Sequence, residues 1–144
     1  MKDEEKKENQ VPKKEGTYIG LNLSPGSIKL LKDLQKQLEI KEDFPFHITL
    51  VYSRKKITMD LNQRINKTIH ALNFHLFDNS KDGGDRALVI KFNCPYCESR
   101  FNYASTALGA TFDYPKYEPH ITLAYNWEGD IPSDEVLRDF KINI

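Results

Sequence analysis

The sequence predicts a single α+β domain built from two similar halves, and three observations carry that prediction. The chain has 144 residues, enough for one compact core and too few for two independent ones. The stretch Phe46-His-Ile-Thr-Leu-Val-Tyr52 returns almost unchanged as Pro119-His-Ile-Thr-Leu-Ala-Tyr125, with His47 and His120 lying 73 positions apart. The order strand, helix, histidine-bearing strand also occurs twice, with 30 residues from Thr17 to His47 and 34 from Arg86 to His120. An identical tetrapeptide recurs by chance in about one chain in ten of this length, and the shared tyrosine lowers that to about one in two hundred. The repeat is therefore read as structural.

Residues 1–15 are charged and almost free of apolar side chains, so they cannot offset the entropy of ordering, and a disordered charged tail is expected there. The domain is placed at residues 16–144. Thr17-Tyr-Ile-Gly-Leu-Asn-Leu23 alternates Ile19, Leu21 and Leu23 with Tyr18, Gly20 and Asn22, the two-residue period of a strand with one apolar face. Ser24 and Pro25 read as the N-cap and first residue of a helix, whose buried stripe is Ile28, Leu31, Leu34 and Leu38.

After the first motif, Leu61, Ile65, Ile69 and Leu72 recur at helical spacing and predict a helix from Asp60 to about Leu72, then a short strand over 73–77. Asn79-Ser-Lys-Asp-Gly-Gly-Asp85 is a turn or loop. Arg86-Ala-Leu-Val-Ile-Lys-Phe92 has the strongest strand composition in the chain. Pro95 opens a helix to about Leu108 that Gly109 closes.

The 21 basic and 21 acidic residues cancel, so no overall field draws the molecule to duplex nucleic acid or to an anionic membrane. No apolar run approaches the roughly 20 residues that span a bilayer, and no secretory leader is recognisable, which makes a cytoplasmic protein the expectation. Cys94 and Cys97 do not form the disulfide framework of a small secreted domain.

Residues two apart in a strand share a face, so His47 lies beside Thr49 and His120 beside Thr122, while Ile48, Leu50, Ile121 and Leu123 turn the other way. A core strand accounts for the isoleucines and leucines but not for the paired imidazole and hydroxyl. If the two units pack about an approximate two-fold axis, the polar faces meet across a cleft. One imidazole can then take a proton from an attacking hydroxyl while the other protonates the leaving oxygen, and the threonines donate to phosphoryl oxygens.

With these motifs the chain resembles the two-histidine phosphoesterase superfamily, which includes 2′-5′ RNA ligase-like proteins and cyclic nucleotide phosphodiesterases. It is most similar there to phage anti-CBASS phosphodiesterases, which degrade cyclic oligonucleotide second messengers of bacterial defence. The residues carrying this likeness are Gly16-Thr-Tyr-Ile-Gly20, Phe46-His-Ile-Thr-Leu50, Gly109-Ala-Thr-Phe-Asp113 and Tyr117-Glu-Pro-His-Ile-Thr-Leu123. The resemblance implies a bilobal, pseudo-two-fold arrangement of antiparallel sheets with outer helices and an active-site cleft between the lobes.

It further implies cleavage of 3′-5′ bonds in cyclic di- or trinucleotides without metal or other cofactor. His47 and His120 would be the acid-base pair, Thr49 and Thr122 would hold the phosphate, and Tyr18 would contact substrate. The ribose 2′-hydroxyl would be the nucleophile. Two alternatives stay open: an RNA end-processing ligase-like or 2′,3′-cyclic phosphodiesterase, and a protein that sequesters a cyclic nucleotide without cleaving it. A monomer is expected.

Tyr125 and Trp127, like Tyr52, follow the motifs and could stack on bases or pack at the rim. Arg54, Lys55 and Lys56 read as a solvated loop. His70 and His75 have no carboxylate or cysteine spacing that makes a metal site, and read as surface or partly buried side chains. Cys94-Pro-Tyr-Cys97 has the form of a redox pair at a helix start. Only 47 residues follow it, too few for the remaining strands and helix of a glutaredoxin-like fold.

Overall fold

The structure, a computed structural model, describes residues 16–59, 67–112 and 116–144; the predicted tail lies outside the described residues. In chain order the elements are β1 (Thr17–Leu21), α1 (Pro25–Gln37), β2 (Ile48–Ser53), β3 (Thr68–Asp78), β4 (Arg86–Asn93), α2 (Pro95–Thr106), β5 (His120–Ala124) and β6 (Lys141–Asn143), with short 3₁₀ turns at Ser80–Asp82 and Asp134–Leu137. They form an α+β domain with two antiparallel sheets, one of β1 and β2 and one in the order β5-β4-β3-β6. Among the described residues no helix is long and apolar enough to cross a membrane.

α1 starts as its sequence dictates. The Ser24 hydroxyl accepts from the Ser27 amide, Pro25 supplies the pre-set φ of the first turn, and Leu31 and Leu34 are buried with Ile28 and Leu38 packed beside them. α2 uses an unusual cap, the Cys94 sulfur, which accepts from the Cys97 amide at 3.3 Å. The core fills the space between helices and sheets with Phe92, Leu31, Ile48, Leu50, Leu88, Ile90, Ile121 and Leu123, all fully buried.

The repeat seen in the sequence extends to the pairing of the strands. In the first half β1 runs antiparallel to β2 with Leu21 opposite Ile48, Gly20 opposite Thr49 and Ile19 opposite Val51. In the second half β4 runs antiparallel to β5 with Ile90 opposite Ile121, Val89 opposite Thr122 and Leu88 opposite Ala124. Both pairs break register at the same place, so the motif leucine, Leu50 or Leu123, has no partner across the ladder. Such a bulge bends its strand and increases its twist, and both halves bend at the same residue.

One predicted element is corrected. Residues 60–66 of the expected helix lie outside the described residues, but 68–72 belong to β3, which is antiparallel to both β4 and β6. Ile69 is buried opposite Ile142, and the amides and carbonyls of Lys67 and Ile144 bond each other at 2.9 and 3.2 Å. A register shift between Ala71 and Asn73 leaves Leu72 59% exposed. That shift interrupts the two-residue alternation and leaves a spacing of three from Ile69 to Leu72 that imitates a helix. β6 and the Asp134–Leu137 turn had no counterpart in the sequence reading.

Candidate functional site

In each half the motif strand turns its two kinds of side chain apart. Ile48, Leu50, Ile121 and Leu123 are fully buried, whereas His47, Thr49, His120 and Thr122 are half-buried. On the first sheet Tyr18 stands over Gly20, where an added Cβ would come within 2.8 Å of the tyrosine oxygen. That close approach lets the Tyr18 hydroxyl reach Thr49 Oγ1 at 3.3 Å, while its ring meets His47 edge-on at 5.8 Å. Tyr52 lies edge-on to Tyr18 at 6.0 Å, and the two rings are 68% and 50% exposed, an open aromatic wall beside His47.

On the second sheet His120 Nδ1 lies 2.8 Å from the Glu118 carbonyl. A carbonyl only accepts, so Nδ1 carries the hydrogen and Nε2 is the nitrogen left for proton exchange. Phe77, reaching across from β3, meets the His120 ring at 5.4 Å and the His75 ring at 4.7 Å. Lys91 is the cross-strand neighbour of His120, and its Nζ bonds Glu118 Oε1 at 3.0 Å. That hydrogen bond holds the Glu118 carboxyl below its ordinary range. Burial, then the Lys91 charge, lowers His75.

The two motif strands are bridged by side chains from opposite halves. Tyr117, just before β5, donates its hydroxyl to the Thr49 carbonyl of β2 at 2.8 Å, and its ring stacks on Phe101 of α2 at 4.6 Å. Buried Gln35 of α1 donates its amide to the Leu123 carbonyl of β5 at 2.8 Å, at the bulge. Glu42 accepts from the amides of Tyr125 and Asn126 just beyond β5. These edge groups are thus satisfied across the junction without a continuous ladder.

Behind Tyr117 sit Cys94 and Cys97, both fully buried, with sulfurs 2.7 Å apart. The hydrogen bond between the two sulfurs lowers Cys94 and raises Cys97, and burial raises Tyr117, so the tyrosine stays a donor. Among the described residues no group of three or more His, Cys, Asp and Glu is arranged to hold a metal ion.

The structure thus groups Tyr18 with His47 and Thr49, and joins their strand to that of His120 and Thr122 through Tyr117. Tyr125 packs its ring on Phe44 at 4.8 Å. Trp127 is held away from the histidines: its amide bonds the Arg86 carbonyl and its indole N–H the Asp130 carbonyl at 3.0 Å. Arg86 is five residues along β4 from Lys91, roughly 16 Å. Sequence reasoning missed Phe77, Lys91, Glu118 and Tyr117 as site neighbours. The one available signal was Lys91, a cation inside the otherwise apolar run 87–92.

A family model described as Anti-CBASS protein Acb1 matches residues 15–144. The anti-CBASS protein Acb1 of Acinetobacter phage Ac42 is 37% identical over 117 residues, 77% of this chain and 73% of that protein. That of Vibrio phage KVP40 is 35% identical over 115 residues, 78% of this chain and 74% of the relative. That of Enterobacteria phage T4 is 30% identical over 135 residues, 88% and 86%.

Proposed function

The chain belongs to the Anti-CBASS protein Acb1 family, and from that premise we propose that it counters CBASS immunity by cleaving 3′-5′ bonds of cyclic oligonucleotide messengers in the host cytoplasm. The observation that carries this reading is the duplicated strand pair, which sets an imidazole and a hydroxyl side by side in each half and bridges the two strands through Tyr117. The halves pack about an approximate two-fold axis, with the site in the cleft between them.

One imidazole removes the proton of the ribose 2′-hydroxyl, whose oxygen attacks the adjacent phosphorus. The 5′-oxygen leaves with a proton from the other imidazole, giving a linear product with a 2′,3′-cyclic phosphate end. His120 works through Nε2, because its Nδ1 hydrogen is committed to Glu118. Thr49 and Thr122 donate to the phosphoryl oxygens, and Tyr18 orients Thr49 from 3.3 Å. Both proton transfers fall to imidazoles, so no step calls for a metal ion.

The test is incubation with cyclic dinucleotides and trinucleotides in excess chelator, with products identified by mass. Cleavage is expected, falling at least about a hundredfold in His47→Ala and in His120→Ala; full activity in either variant would sink the reading. Turnover of linear RNA ends alone would point to end processing, and recovery of intact ligand from a stable complex to sequestration.

A further inference from the structure

The ion pair beside His120 does more than neutralise two charges. Lys91 is withdrawn from water, its side chain 15% exposed, on a strand whose neighbours Ile90 and Phe92 are core residues. A lysine so placed needs a partner, and it has one in Glu118 at 3.0 Å. Glu118 is held at two ends: its carboxylate by Lys91, and its peptide by the next residue, whose carbonyl accepts from the Phe92 amide at 2.9 Å. Between those two anchors lies the Glu118 carbonyl, 2.8 Å from His120 Nδ1. Phe77 closes in on the same imidazole, its ring centre 5.4 Å away.

We propose that Lys91 and Glu118 are positioning residues for His120: their ion pair holds the Glu118 carbonyl where it fixes the plane and the tautomer of the ring and leaves Nε2 facing the substrate. Neither side chain touches the reacting atoms. The role rests on His120 being an acid-base group, and a tautomer measurement separates the two ideas because it requires no substrate. An exposed ion pair would contribute little. This pair acts through geometry, and a small misplacement of a reacting group slows chemistry more than it weakens binding.

The experiment compares Lys91→Met, which keeps the stem and removes the cation, with Lys91→Arg and the unmutated chain. Nitrogen-15 spectra of the imidazole rings at alkaline pH, assigned with His120→Ala, report which nitrogen carries the hydrogen. A single Nδ1–H form is expected for His120 in the unmutated chain and in Lys91→Arg, and a mixture in Lys91→Met. With a cyclic dinucleotide as substrate, kcat should fall about tenfold in Lys91→Met with KM within about twofold, and Lys91→Arg should recover at least about half of it.

Glu118→Gln, at a more exposed position, carries the same expectation should Lys91→Met fail to fold. A folded variant that keeps the single Nδ1–H form overturns the proposal, as does a loss expressed in KM alone. If the unmutated chain leaves cyclic dinucleotides intact, the functional reading fails while the tautomer comparison still decides the positioning role.

Discussion

Replacing Tyr117 by phenylalanine removes one oxygen from the junction between the halves and nothing else. The ring keeps its stack on Phe101, at 4.6 Å and 9° between planes, while the Thr49 carbonyl loses its 2.8 Å donor. A neutral hydrogen bond contributes about 1 kcal/mol, and a half-buried acceptor left unpaired adds a penalty at the low end of its range, so the expected loss is about 1 to 2 kcal/mol. For a domain of this size that is a fall in Tm of roughly 3 to 7 °C. At assay temperature the variant stays folded, yet β2 is no longer tied to the lead of β5, and a shift of a fraction of an ångström should lower kcat about tenfold. Calorimetry and turnover of a cyclic dinucleotide measure both, with Tyr103→Phe, an exposed α2 tyrosine, as the silent control. A Tyr117→Phe protein that melts within about 1 °C of the unmutated chain and retains its kcat would refute the bridge.

Gly20→Ala should fold, because its Cβ meets only the movable end of Tyr18, but the displaced hydroxyl leaves Thr49 and kcat/KM should drop about five- to tenfold. His75 is lowered first by burial, so below the ordinary histidine value of 6.5 the unfolded chain takes up a proton that the folded chain resists, and stability is lost as pH falls. Urea midpoints at two pH values, about 7.5 and about 5.5, should therefore differ less in His75→Gln than in the unmutated chain. Ile142→Ala, at a buried position opposite Ile69, should lower unfolding free energy by about 2 to 4 kcal/mol in urea titrations.

What the sequence made legible was whatever a residue does with its near neighbours. Ser24 and Pro25 announce α1 because capping is settled within four residues, and the alternation around His47 and His120 assigns faces because the strand period is fixed. β3 was misread through Leu72: a bulge there breaks the alternation, and only the partners on both sides, β4 and β6, show that the segment is extended. The second layer of the site was illegible for a related reason. Phe77 and Tyr117 reach the motifs through contacts between segments far apart in the chain, and even Lys91, a visible cation in an apolar run, is assigned to His120 only by strand register. Tyr18 was available only through family likeness, and its hold on Thr49 depends on the bare backbone of Gly20 two residues on.

Gln35 of the first half reaches the strand of His120, and Tyr117 of the second half reaches the strand of His47. A duplicated unit could in principle keep its copies self-sufficient, each folding behind its own motif. Here each motif strand takes a backbone partner from the other half, so a chain cut within the 79–85 loop would give two fragments, each with a motif carbonyl lacking its native donor. The two motif strands are thus tied to one fold: a change at Gln35 is felt on the strand of His120, and a change at Tyr117 on the strand of His47.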